Sequence, residues 1–133
     1  VHVHLRVGAE RYALPVADVR SIVDMEGLAP VLGMPATVLG LRTLDGALLP
    51  VFDLAALLGA SGGVPTRIVV VEPRGKAEVG LAVDEVLDVA ELPPLDEGSA
   101  SERLRGTTLL DSVLVGAIDL DVVLDGLEAE LAA

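Results

Sequence analysis

Two histidines, His2 and His4, alternate with Val1, Val3 and Leu5 at the start of the chain. On one strand face the two imidazoles would share an ion only if further ligands came from elsewhere. The sequence identifies none, and the alternation reads more simply as two solvent-facing strand positions. Asp119, Asp121 and Asp125 form an acidic cluster of the kind that attracts Ca²⁺. They are interleaved with Leu120, Val122, Val123 and Leu124, a helix face without the glycine an ion loop needs. Asp119 therefore reads as a helix cap, and Asp121 and Asp125 as solvated carboxylates. Asp84, Glu85 and Asp88 would do acid–base work only inside a pocket, and read as solvated strand or turn positions. No phosphate loop, dinucleotide fingerprint, nucleophile elbow or metalloprotease pattern occurs. The expectation is a non-enzyme with no catalytic residue, no metal and no cofactor.

The composition narrows the class further. The 133 residues suit one domain or two very small ones. Hydrophobic residues make up 52% of the chain, yet Tyr12 and Phe52 are its only aromatics, so the core must be built from many small aliphatic contacts. Twenty-one acidic residues against nine basic ones give a formal net charge of −12, a surface that repels phosphate and argues against nucleic acid as a partner. The absence of cysteine rules out disulfides and thiolate chemistry. Asp, Gly or Pro interrupts every apolar stretch well short of the ~18 residues that cross a bilayer. A soluble protein without direct membrane insertion is expected.

An internal repeat organises the elements. A shift of 67 lays Leu14–Ile22 on Leu81–Val89 with the apolar positions in phase, and brings Gly8 onto Gly75. A shift of 66 lays Leu44–Leu58 on Leu110–Leu124 with six identities, two of them the aspartates Asp45/Asp111 and Asp53/Asp119. Strands are expected over Val1–Val7, Glu10–Val16, Val38–Leu44, Ala47–Phe52, Thr66–Glu72, Glu78–Val83, Leu87–Leu92, Thr107–Leu110 and Val113–Ile118. Asp45-Gly46 predicts a tight hairpin turn. Asp53 and Asp119 predict N-caps for helices Asp53–Leu58 and Asp119–Leu131. Gly59–Pro65 reads as a flexible linker, and Pro93–Gly106 as a surface loop.

The ordered series Tyr12–Ile22, Pro35, Gly40-Leu41, Gly46, Leu49–Leu54, Val69–Glu72, Val79–Val86 and Ile118–Leu120 resembles the CheW-like domain of bacterial chemotaxis coupling proteins over essentially the whole chain. The resemblance implies a mainly β fold, two packed SH3-like five-stranded barrels with short helices. It implies one CheW-like domain over 1–133 with halves near 1–65 and 66–133, between which strands exchange. It also implies an adaptor that couples the cytoplasmic tip of a chemoreceptor to the regulatory domain of a chemotaxis histidine kinase. Carried over by position, its contact residues fall at Val19, Gly40, Leu44, Asp45, Gly46, Val86 and Val89. On general burial tendencies the same Val and Leu residues read as core.

Two positions depart from the family pattern. The resemblance implies Asn-Leu-Arg-Gly as the usual hairpin, where this chain has Thr43-Leu44-Asp45-Gly46, and often an acidic residue where it has Ser21. Both members of a charge pair are thereby replaced, which implies altered partner recognition. The related regulatory domain of a larger histidine kinase is the alternative reading, and a small hydrolase or metal-dependent enzyme is the alternative from another class.

Overall fold

The computed structural model describes residues 1–72 and 77–125. Ten strands form two five-stranded sheets: β1 His2–Val7, β2 Glu10–Pro15, β3 Val19–Asp24, β4 Val38–Leu44, β5 Ala47–Asp53, β6 Arg67–Val71, β7 Val79–Val83, β8 Glu85–Ala90, β9 Leu104–Leu110 and β10 Val113–Ile118. One sheet runs β8-β1-β2-β10-β9 and is called here the terminal barrel; the other runs β3-β6-β7-β5-β4 and is called the central barrel. Moving each strand label by five converts one order into the other. Each sheet combines a hairpin from one end of the sequence with three strands from the other.

The registers coincide as well as the orders. The hairpin pairing Val3↔Leu14 corresponds to Val69↔Leu81, and Gly40↔Val51 to Gly106↔Ala117. The only parallel contacts among the described residues, β2 with β10 and β5 with β7, also share one register under the 66 and 67 shifts. Even the isolated bridges Ala29↔Leu41 and Asp96↔Thr107 correspond. In both places a loop carbonyl presses on a bulge glycine. A Cβ on Gly106 would lie 2.7 Å from the Asp96 carbonyl oxygen, and one on Gly40 would collide with that of Ala29.

The main core lies between the barrels. Val3, Leu5, Leu14 and Ile118 of one meet Phe52, Val69, Leu81 and Val83 of the other, with Leu54 and Leu57 from helix α1, Leu54–Leu58. A second cluster, Leu49, Val51, Ile68, Val70 and Ala82, fills the central barrel. Asp53 caps α1 by accepting the Ala55 N–H at 3.2 Å, and Gly59 ends it in the left-handed conformation at φ 68°. Asp119 accepts the Val122 N–H at 3.3 Å ahead of a second helical segment, residues 120–125. The remainder of the helix expected to Leu131, and the turn expected at Gly75, lie outside the described residues.

Four expectations need correction. Val19–Asp24 is a strand, although Arg20, Ser21 and Ile22 are all exposed and leave no clean alternation to read. β9 begins at Leu104, inside the expected surface loop. His4 is buried, because the barrel curls its second sheet face inward as well. Asp84 is not solvated but 5% exposed, and its Oδ2 accepts the N–H groups of Gly8 and Gly63, each at 2.9 Å. That carboxylate fixes the segment expected to be a flexible linker against the β1–β2 turn.

Candidate protein-binding surfaces

Each sheet ends in two edge strands, β3 and β4 in the central barrel and β8 and β9 in the terminal barrel; a loop bridge covers one point on the outer side of β4 and of β9. Such edges keep unpaired backbone donors and acceptors, and they are where a chain adds contacts with another protein. The seven residues singled out in the sequence fall on three of these edge strands and one turn. Val19 lies on β3, Gly40 and Leu44 on β4, Asp45 and Gly46 at the β4–β5 turn, and Val86 and Val89 on β8.

Their environments differ. Val89, Asp45 and Gly46 are exposed. Val19 and Val86, equivalent under the 67 shift, are half-buried against the inter-barrel core, and Leu44 packs on the core of the central barrel. Gly40 is buried, and its place is set by the Ala29 carbonyl that crosses it. Asp45 and Gly46 both have positive φ, 50° and 80°, as a primed hairpin turn requires. Asp111 and Ser112 repeat that turn at 51° and 65°.

Sequence reasoning passed over several exposed apolar side chains. Ile22 is the β3 counterpart of Val89, and both are about half exposed. Leu48 and Leu114, counterparts on the two tight hairpins, are 69% and 59% exposed, and Leu109 adds to the second of these. Leu and Val fill both faces of these strands, so hydrophobicity alone did not separate the outward positions from the inward ones. Charged contacts border the β3 edge: Arg20 pairs with Glu72 at 3.1 Å and Glu78 at 3.6 Å. Arg42 pairs with Asp24 at 3.3 Å, tying β4 to the end of β3 across the mouth of the central barrel.

Chemistry of another kind finds little support. Among the described residues no three His, Asp or Glu side chains are grouped to hold a metal ion. Tyr12 is buried, and its hydroxyl donates to Glu10; burial and that carboxylate push its pKa up. The phenol stays neutral and structural.

The whole of this arrangement has known relatives. The CheW-like domain profile matches residues 2–128, and the chain belongs to that family. It is 32% identical to the chemotaxis protein CheW of Rhizobium meliloti, over 96% of this chain and 88% of that protein. It is 26% identical to CheW of Thermotoga maritima, over 90% and 83%. The scaffolding protein TtCheW from Thermoanaerobacter tengcongensis superposes with a TM-score of 0.73 at 26% identity, covering 89% of this chain and 87% of that one. The family places the chain among chemotaxis scaffold proteins rather than enzymes.

Proposed function

We propose that the chain is a coupling adaptor that links the cytoplasmic tip of a chemoreceptor to the regulatory domain of a chemotaxis histidine kinase. The observation that carries this reading is the family match over 2–128, together with edge strands that present exposed apolar residues to solvent. The contacts would run along β3, the β4–β5 turn and β8, through Val19, Asp45, Gly46, Val86 and Val89, with Gly40 and Leu44 shaping the turn from within. The chain spans 88% of the R. meliloti chemotaxis protein CheW, and the adaptor reading follows that likeness. The matching strand orders and registers support one domain built from two halves, 1–65 and 66–133, that exchange hairpins. Among the described residues no helix is long and apolar enough to cross a membrane, consistent with work in the cytoplasm.

Reconstitution tests the proposal. Receptor-bearing membranes and the kinase from the same cell are combined with and without the chain, and kinase activity is followed as receptor ligand is added. Ligand-sensitive activity should require the chain. If the chain binds neither component, the adaptor reading fails.

A further inference from the structure

The shared registers make one barrel a control for the other. Inside the central barrel, Ile68 and Val70 are fully buried among Leu49, Val51 and Ala82. Their counterparts in the terminal barrel are His2 and His4, with Val115, Ala117 and Pro15. Val23 corresponds to the smaller Ala90, each pairing with the residue just named, Ile68 or His2. The Arg42–Asp24 bridge that spans the central mouth is also missing, since Thr108 and Glu91 hold those positions. One barrel is packed with aliphatic side chains and bridged; the other is polar inside and unbridged.

The space left over is a cavity of about 180 Å³, partly open to solvent. His4 forms part of its wall at 6% exposure, and the Nε2 atom is enclosed without a hydrogen-bond partner among the described residues. A buried polar atom without a partner costs free energy that a ligand would recover. Arg11 also lines the cavity, half-buried and with no ion pair among the described residues. Two carboxylates stand at the exposed rim: Asp111, likewise unpaired, and Asp88, which accepts only the Val89 N–H through Oδ1. Leu110 and Val115 supply apolar wall.

The imidazole and the guanidinium lie inward and the carboxylates at the mouth. A simple anion would meet Asp88 and Asp111, and a simple cation would meet Arg11; only a ligand carrying both charges complements the set. We propose that the terminal barrel binds a small zwitterion of the aliphatic α-amino acid class, its carboxylate toward Arg11 and His4, its ammonium toward Asp88 and Asp111, and its side chain against Leu110 and Val115. The site shares strand β8 with the proposed coupling surface but does not rest on that reading.

L-valine is the probe, titrated into the intact protein while backbone amide resonances and heat are recorded. Isovalerate and isobutylamine, which each keep one of its two charges, are the controls. Valine should bind saturably with shifts centred on residues 4, 11, 88 and 111, and each control should bind about tenfold more weakly or worse, the loss of one charged hydrogen bond. Arg11→Gln and Asp111→Asn should each weaken valine by a similar factor, and Asn suits the positive φ of position 111. His4→Val installs the residue of the central barrel and should remove binding. The proposal is overturned if valine gives no saturable response, if either control equals it, or if Arg11→Gln and Asp111→Asn both bind like the wild type.

Discussion

Asp84 and Gly63 are 21 residues apart and meet at 2.9 Å, the carboxylate accepting the glycine N–H. The same oxygen accepts from Gly8 and lies 3.5 Å from Arg6 Nη1. One buried charge thus joins the first hairpin, the segment after α1 and the passage from β7 to β8. A Cβ on Gly63 would come within 2.5 Å of that oxygen, so the glycine is there to admit the approach.

Asp84→Ala should lower stability by about 2–4 kcal/mol, since it strands the backbone donors of Gly8 and Gly63 and removes one of the two carboxylates beside Arg6. Asp84→Asn keeps an acceptor and should cost less. Urea midpoints report both, and two unchanged midpoints would mean that the contact contributes nothing.

Gly40→Ala and Gly106→Ala should each destabilise by roughly 2 kcal/mol or more, because the loop carbonyl above each bulge leaves no room for a methyl group. Thermal melts test the pair. Equal and small losses would show that the loops yield.

Removing either cap, by Asp53→Ala or Asp119→Ala, should cost about 0.5–2 kcal/mol. Each carboxylate accepts an orphan N–H in the first helical turn. The check is a shifted denaturant midpoint with an unchanged slope.

The His2 imidazole is held below its ordinary value of 6.5, first by burial and then by the positive charges around it, including His4 and Arg105. The folded chain therefore binds this proton less readily than the unfolded chain. The stability it confers is full above the unfolded value of 6.5 and is lost as pH falls through it toward the lower folded value. His2→Ile, matching Ile68, should flatten the fall in urea midpoint between about pH 7.5 and about pH 5.

Asp45 stands exposed at the β4–β5 turn, where its carboxylate would favour a basic partner surface. Asp45→Arg should leave the melting point nearly unchanged and weaken the native partner at low salt; Asp45→Asn should keep the turn and remove only the charge. Binding like the wild type by both variants, at low and high ionic strength, would make Asp45 a turn residue alone.

Much of this arrangement could be read from residue order. The caps at Asp53 and Asp119 and the Asp45-Gly46 turn depend on neighbours within a few residues, and so they were legible. The paired aspartates under the 66 shift carried the symmetry of the hairpins. Asp84 was misread because its partners, Gly8 and Gly63, are remote in sequence and nothing local distinguishes it from Glu85. His2 and His4 were misread because alternation describes a sheet with one wet face, and a curled barrel buries both. Gly40 entered as a contact position, yet its burial follows from the Ala29 loop, which no periodicity announces.

The parallel pairings of β2 with β10 and β5 with β7 constrain how the chain is made. On the ribosome, residues 2–15 wait without their sheet until residues 104–118 have emerged, while β3–β5 need only the hairpin that follows them. The central barrel can therefore close earlier in translation than the terminal one. Contacts of such long sequence separation fold slowly and leave strand edges unprotected meanwhile. Severing the chain between Gly59 and Pro65 would leave two fragments, neither holding a complete sheet, that recover structure only by complementing each other.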